Sequence, residues 1–322
     1  MSVLVFLEIE KGIIKKTSQE AIAYASAVAS KIGGSVTALA LGEADEQELA
    51  KAGNFGADKV LHVADSRLNQ ENSLAYASVL VQAVQKTEST LVVLAKSGLG
   101  DAVAARSAAR LKAALVSGAT ELPEVGDRFL VKRSIYSGKA FATVELKGAI
   151  KIIAIRKNIS MEVVESEVNA SVEPFDANLD DNDFKAVVTG VEKASTDISL
   201  TDADIIVSGG RGMKGPENWQ PLLDLAEALG AATGCSKPVS DLDWRPHHEH
   251  IGQTGLKVAP NLYIACGISG AIQHLAGVNG SKCIVVINKD PEAPFFKVAD
   301  YGIVGDVFDV LPRLTQAVKA GK

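Results

Sequence analysis

The chain lacks most of the marks that would assign it at once to a specialised chemistry. It has only three cysteines, Cys235, Cys266 and Cys283, an odd number with no close spacing. That argues against a disulfide framework and against a cysteine-ligated metal or iron–sulfur cluster, and a reduced cytoplasm is the expected home. No Lys/Arg-rich cluster occurs and the net charge is -6, so nothing marks a general nucleic-acid binder. The longest apolar runs are strand-sized, far short of the roughly 20 residues of a membrane span, and direct membrane insertion is not expected. The opening residues, MSVLVFLEIEKG, lack the basic start, long apolar stretch and small-residue cleavage site of a signal peptide, and read as a first strand. G-x-x-x-x-G-K-[ST] is absent, so no P-loop can be claimed. No Ser-His-Asp order, paired catalytic carboxylates or reactive-cysteine context points to a hydrolase or transferase.

What is present is an ordinary globular composition, with 47% hydrophobic and 22% charged residues in 322, enough for two domains or one large one. The first half alternates strand-like and helix-like segments. Strands are predicted over 3–9, 35–41, 59–65 and 90–96, and helices over 18–33, 73–87 and about 101–115, with Ser18 as N-cap and Gly33–Gly34 as stop of the first helix. This rhythm implies a parallel sheet covered by helices. From Arg128 to Arg156 three strands with short turns suggest an antiparallel portion. The acidic segment Glu165–Asp183 is too polar to build a core and reads as a linker or extended crossing. FKAVVTGVEKA after it looks like one more strand. The boundary is expected between about Val188 and Ala203, giving an N-terminal α/β domain over 1–190 and a C-terminal domain over 191–322. Each is α/β, built on a mainly parallel sheet flanked by helices.

In the second domain four strand ends carry unusual residues: Ser208-Gly209-Gly210-Arg211-Gly212, Gly267-Ile268-Ser269-Gly270, Asn288-Lys289-Asp290-Pro291 and Gly305-Asp306. In a parallel sheet such ends share one edge, where open α/β sheets bind ligands. Glycines there permit close backbone approach, and a following helix N-terminus offers free N–H groups to a phosphate. Ser208, Arg211 and Ser269 add donors, and Asn288 and Asp306 suit ribityl or ribose hydroxyls. One such turn is ordinarily a chain reversal; four in one sheet imply a nucleotide-like ligand. LYIACGISGAIQHLA (262–276) is the most pointed case, since a buried strand empties into glycine and serine and then places Gln273 and His274 on a first helical turn.

The long segment 234–260 is loop-like and includes HHEH (247–250). Adjacent histidines point different ways and no helical spacing supports a metal site, so none is expected. His274 alone is more often structural, but its place one turn past a glycine-rich strand end favours function. His62 reads as a strand residue.

SGGRGMKGPENW, GCSKPVSD, IGQTG, LYIACGISGAIQHLAG and VVINKDPEAPFFKVADYGIVGD, in this order and spacing, resemble the alpha subunit of electron-transfer flavoproteins over roughly Asp204–Leu314. The first domain resembles the family more loosely. The resemblance implies a doubly wound FAD-binding fold for the C-terminal domain and pairing with a beta subunit, the heterodimer holding one FAD and the AMP site lying in the beta subunit. Carried over position by position, Arg211, Ser236, Lys237, Ile251, Gly252, Gln253, Thr254, Ser269, Gly270, Ala271, Ile272, Gln273, His274, Asn288, Asp306 and Val307 would contact FAD. The Thr254 hydroxyl would meet the flavin N5 edge, and His274 would lie near the N1/C2=O end, where reduction places negative charge. Many members have arginine where this chain has Lys237, and lysine keeps the charge without the planar fork that stacks on a ring.

The implied role is an electron carrier with no substrate chemistry of its own. It would move electrons from acyl-CoA dehydrogenases or other flavoprotein dehydrogenases to a quinone oxidoreductase or another acceptor. Two alternatives stand beside it: a subunit of an electron-bifurcating complex, and an NAD- or nucleotide-binding enzyme using the same sheet edge.

Overall fold

A computed structural model of the chain describes residues 2–136, 140–157, 159, 166–189, 200–201 and 203–321. It divides into two compact units, Met1–Val191 and Glu192–Lys322.

The N-terminal unit runs β1 (Ser2–Phe6), β2 (Ile9–Glu10), β3 (Ile13–Ile14), α1 (Lys16–Ile32), β4 (Ser35–Leu41), α2 (Glu46–Ala50), β5 (Lys59–Val63), α3 (Ser73–Thr87), β6 (Leu91–Ala95) and α4 (Gly98–Leu111). It continues with β7 (Ala114–Ala119), β8 (Glu124–Val125), β9 (Phe129–Ile135), β10 (Ala140–Glu145), β11 (Lys151–Ile155) and β12 (Ser171–Pro174). The large sheet has the order β10-β9-β7-β11-β6-β1-β4-β5-β12, with β8 paired to β9. Its central strands are parallel and buried on both faces. Val3 and Val5 pack with α1 residues such as Ile22 and Val28, while Leu4 and Phe6 pack with Leu80 of α3 and Val103 of α4. A two-sided burial explains why these strands read as continuous apolar runs rather than alternating ones. Each such Leu, Val or Phe contributes about 1.5–3 kcal/mol of transfer free energy.

Several expectations for this unit are corrected. Ser18 is not the N-cap of α1, which begins at Lys16 behind Lys15 with no side-chain cap; Ser18 is buried and its hydroxyl accepts the Glu8 N–H at 2.8 Å. Gly33 does end the helix, in the left-handed conformation with φ 65°, where glycine carries no steric cost. The helix expected to run to 115 stops at Leu111, and Ala114–Ala119 is a strand. The third of the three strands expected to be antiparallel, β11, is parallel and sits between β6 and β7; the antiparallel pairs at that edge are β10–β9, β8–β9 and β7–β9. The acidic crossing includes β12, which adds to β5 as a parallel edge strand. Pro174 is tolerated there because it lies at the strand's end on a sheet edge. Phe184 closes a short 3-10 turn and 185–189 form no strand; the rest of that expected strand, with most of the expected boundary zone, lies outside the described residues.

The C-terminal unit runs β13 (Ile205–Gly209), α5 (Gln220–Leu229), β14 (Ala232–Cys235), α6 (Lys237–Ser240), β15 (Leu262–Cys266), α7 (Ile272–Val278), β16 (Cys283–Asn288), β17 (Tyr301–Val304) and α8 (Val307–Ala320). Its sheet has the order β14-β13-β15-β16-β17, and every pair is parallel. Strand residues alternate between two cores. Ile206, Tyr263, Ala265 and Val286 face Phe295 and Val278. Val207, Ile264, Cys266 and Ile287 face Leu222 and Leu225 of α5 and Leu311 of α8. The chain leaves β13 for β14 on one side, then crosses back to β15 on the other. That reversal opens a crevice at the carboxyl ends of β13 and β15, the place where doubly wound sheets take ligands.

Candidate functional site at the carboxyl edge of the second sheet

Five strand ends meet at this edge, one more than the sequence suggested, because β14 was hidden in a segment read as loop. They are tied stepwise by backbone hydrogen bonds. The Ser236 N–H donates to the Gly209 carbonyl at 3.0 Å, Gly210 to Cys266 at 2.9 Å, Gly267 to Ile287 at 2.8 Å and Gly305 to Asn288 at 3.0 Å. Strand spacing therefore sets the separations between Arg211, Ser236, Ser269, Asn288 and Asp306, which the sequence scatters over about a hundred positions.

The glycines at the crevice serve chain-to-chain contact. A Cβ on Gly210 would meet the Gly267 carbonyl and, at 2.8 Å, the Ile268 Cα. A Cβ on Gly212 would lie 2.6 Å from the Gly267 Cα, and one on Gly267 2.7 Å from the Gly212 Cα. Gly267 also has φ 64°. The Gly212 N–H donates to the Gly267 carbonyl at 3.0 Å. So the first two glycine turns lie backbone against backbone. Gly270, at φ 84°, abuts the backbone of Phe295 in the same way.

The segment Ile251–Thr254 comes from the long connection before β15. Ile251 is fully buried and its N–H donates to the Cys235 carbonyl at 2.9 Å. The Gln253 N–H donates to the Gln273 carbonyl of α7 at 2.7 Å, and Gly252 packs on Gly277. This seats the exposed Gln253 and Thr254 beside the exposed Ser269, Ala271, Ile272 and Gln273.

The side chains of the predicted set divide into two groups. Arg211, Gln253, Thr254, Ser269 and Gln273 are exposed and make no side-chain hydrogen bond or ion pair among the described residues. The others are engaged. Lys237 Nζ holds both Asp241 oxygens at 2.7 Å. Asn288 Nδ2 donates to the Ile268 carbonyl at 3.0 Å, and its Oδ1 accepts the Asp290 N–H at 3.1 Å. Asp306 caps α8 by accepting the Phe308 N–H at 3.0 Å and faces Lys214 Nζ at 3.4 Å. The capping N–H and the lysine hold its carboxyl below the usual range. Val307 is buried against α5 and α8, and the Ser236 side chain is buried.

His274 is turned inward. Its Nε2 lies 2.9 Å from the Tyr263 hydroxyl, and its ring meets Phe295 edge-on at 5.8 Å. Burial pushes its pKa down to about 4, the Ile251 carbonyl pulling the other way. Its Nδ1 closes no hydrogen bond among the described residues. Burial also raises the Tyr263 hydroxyl, and lifts the Cys235 and Cys266 thiols to about 12, so neither cysteine is a nucleophile at neutral pH. Ser208, expected to donate at the edge, is wholly buried in front of Tyr263 instead.

The rings of His247 and His250 in HHEH stand 5.6 Å apart. His247 Nδ1 meets Ser240 Oγ at 3.2 Å, His248 is exposed, and His250 is buried. His62 holds the Gly42 carbonyl at 2.8 Å through Nε2. Sequence reasoning missed Tyr263, Lys214, Phe295 and the buried pair Arg245–Glu249. In that pair Arg245 Nε and Nη2 reach the two carboxylate oxygens at 2.8 and 2.5 Å, and Thr233 adds a bond at 3.2 Å. Only Arg245 and Glu249, at i and i+4, left a spacing signal.

A free guanidinium, two hydroxyls and two amides on one edge form the donor set that a pyrophosphate, a polyhydroxyl chain and a heteroaromatic ring require. The residues present thus fit a flavin nucleotide.

Comparisons with known proteins agree. A family described as the electron transfer flavoprotein domain matches residues 3–193, and one described as the electron transfer flavoprotein FAD-binding domain matches residues 199–279. The electron transfer flavoprotein subunit alpha of Bacillus subtilis is 41% identical over 319 residues, covering 98% of this chain and 97% of the relative. That of Pseudomonas aeruginosa is 40% identical, covering 99% and 100%. A probable mitochondrial alpha subunit from Caenorhabditis elegans is 38% identical, covering 90% and 86%.

Proposed function

We propose, from the premise that this chain belongs to the electron transfer flavoprotein family as an alpha subunit whose C-terminal unit is an FAD-binding domain, that it works as one half of a two-chain electron carrier. Its partner is a beta subunit, and one FAD lies along the carboxyl edge of the second sheet. FAD supplies the redox chemistry, accepting and passing electrons; the protein binds, orients and electrostatically tunes it.

The family resemblance, with the side chains exposed along this edge, supports the following roles. Arg211 and Ser269 serve the pyrophosphate. Gln273, Asn288 and Asp306 serve the hydroxylated portion, Asn288 through the acceptor capacity left on Oδ1. Gln253 and Thr254 approach the ring, and Ser236 and Lys237 bound it from the β14 end, with Gly252 and Gly270 letting the loops that carry these groups pack on Gly277 and Phe295. Ile251 and Val307 are apolar walls behind these contacts. Ala271 and Ile272, exposed beside Gln273, cover the cofactor's flank. His274 acts from beneath, as a neutral imidazole oriented by Tyr263. A fixed dipole or cation placed where charge develops lowers the cost of reduction without reorganisation.

The observation that carries this reading is the convergence of five strand ends, with unpaired polar side chains, on the topological switch point. Electrons enter from acyl-CoA dehydrogenases or other flavoprotein dehydrogenases and leave to a quinone oxidoreductase or another respiratory acceptor. The chain acts in the cytoplasm and transforms no substrate of its own. Among the described residues no helix is long and apolar enough to cross a membrane.

The test is an anaerobic dithionite titration of the chain co-expressed with its neighbouring subunit, followed by absorbance. Electron uptake in two resolved one-electron steps supports the carrier. A single two-electron step moves the reading toward hydride transfer or bifurcation, and a colourless protein overturns it.

A further inference from the structure

The loop that presents Gln253 and Thr254 is closed on itself. The Gly252 N–H donates to the Leu256 carbonyl at 3.0 Å, and the Leu256 N–H donates to the His250 carbonyl at 2.8 Å. Side chains would ordinarily fill so tight a loop, but two of its members are glycines, and His250 takes the space they leave. A Cβ on Gly255 would lie 2.8 Å from both Cγ and Nδ1 of His250, and one on Gly252 3.4 Å from Nε2. The ring is 3% exposed, and Nδ1 has no hydrogen-bond partner.

His250 is itself firmly placed. Its backbone N–H donates to the His247 carbonyl at 3.0 Å, and it bridges Cys235 at the end of β14. Glu249, 1% exposed, is held by Arg245 and Thr233. The sheet thus fixes the residue, and the residue fills the loop. The loop's outer face consists of exposed Gln253 and Thr254, docked on α7 by the 2.7 Å bond from Gln253 to the Gln273 carbonyl.

We propose that His250 is a positioning residue for the flavin: its imidazole, wedged between Gly252 and Gly255, sets where Gln253 and Thr254 stand against the ring. The inference rests on the placement of that loop at FAD argued above. The charged and titratable groups acting on the imidazole are the His247 ring at 5.6 Å, Lys237 of α6 and Asp241 at its C-terminal cap, and His274 of α7. Burial, His247 and Lys237 all favour the neutral ring, against Asp241. Protonation would drive a cation into the loop with no acceptor for its Nδ1 proton, so acid should loosen the loop at its support.

The experiment compares His250→Gln, His250→Leu and Thr254→Val with the parent chain, each in its FAD-loaded complex with the co-expressed subunit. Visible absorption of the flavin is recorded from pH 5.5 to 8, FAD loss is followed by dialysis, and far-UV circular dichroism checks the fold. Thr254→Val reports whether the loop touches the ring at all. The proposal expects Thr254→Val and His250→Leu to shift the flavin bands in the same sense, with FAD retention roughly tenfold weaker in His250→Leu, the change that 1.4 kcal/mol produces. It expects His250→Gln to recover part of both, and the acid shift of the parent spectrum to vanish in both His250 variants. Parent-like spectra and retention in the two His250 variants, with Thr254→Val altered, would overturn the positioning role. An unaltered Thr254→Val would overturn it at its premise, by removing the loop from the flavin. If His250→Leu does not fold, His250→Gln decides alone, through its pH profile.

Discussion

The Tyr263 hydroxyl lies 2.9 Å from Nε2 of His274, with no exposed surface left to the tyrosine and almost none to the histidine. Which of the two donates depends on the imidazole tautomer, and Nδ1 closes no hydrogen bond of its own. One residue from the β15 core therefore holds the orientation of a side chain on α7.

The first consequence is a pH dependence. His274 has a folded pKa of about 4 against roughly 6.5 in an unfolded chain. Between those values the unfolded chain binds more protons, so stability rises with pH. The contribution is complete above about pH 6.5 and is lost as pH falls toward about 4, to a total of about 3 kcal/mol. Urea unfolding at pH 7.5 and 4.5 should show a drop in the parent that is smaller by about that amount in His274→Asn. Tyr263→Phe should cost about 1–3 kcal/mol at pH 7.5 by leaving Nε2 buried without a partner. An equal drop in parent and His274→Asn would remove His274 as the source.

Lys237 shares its charge with Asp241 in an exposed pair, and such pairs are worth little, about 0–1 kcal/mol. The lysine is therefore available to a charge developing above it. Lys237→Ala should lower the first reduction potential of the bound flavin, and Asp241→Ala should raise it, each by about 1 kcal/mol or roughly 40 mV. Potentiometry with redox dyes reads both. An unmoved potential in Lys237→Ala would take the residue out of the site.

The backbone contact between the first two glycine turns makes a different prediction. Gly267→Ala adds a Cβ 2.7 Å from the Gly212 Cα at a position with φ 64°. The strain and the clash should together cost about 2–4 kcal/mol. Gly230→Ala, at φ 63° but in open space, should cost only the conformational part, about 1 kcal/mol. Thermal melts of the two variants, with retained FAD measured alongside, separate contact from conformation.

Arg245→Ala leaves the Glu249 carboxylate buried with only Thr233 beside it. Removing one partner of such a pair costs about 3–5 kcal/mol. The double variant Arg245→Met with Glu249→Gln should recover most of that. Denaturant midpoints of the single and double variants decide the matter; equal losses would mean that the pair itself, rather than the orphaned charge, supports the connection.

How much of this could be read in the sequence depended on the range of the interaction. Strands buried on both faces announced themselves as apolar runs, and their ends were marked by Gly, Ser, Asn and Asp. β7 was hidden because ALVSGA continues an alanine-rich helix whose stop, Lys112 in the left-handed conformation, carries no glycine or proline. β14 is four residues of ATGC, too short and too weakly apolar for periodicity. β12 lies in an acidic segment whose pairing with β5 only the folded sheet supplies. The exposed members of the site, such as Arg211 and Gln273, were legible from residue type and place. The bond from Tyr263 to His274 was not, since it exists only once α7 has docked on the sheet.

Because Gly210, Gly212 and Gly267 are spent on each other, the two turns behave as one rigid casting rather than as two adjustable fingers. An engineer who wished to retune this cofactor site, or to seat a different nucleotide in it, would find no slack in the floor of the crevice. Variation has to be confined to the outward fittings, Arg211, Gln253, Thr254, Ser269 and Lys237, each of which can be exchanged without disturbing the mould beneath.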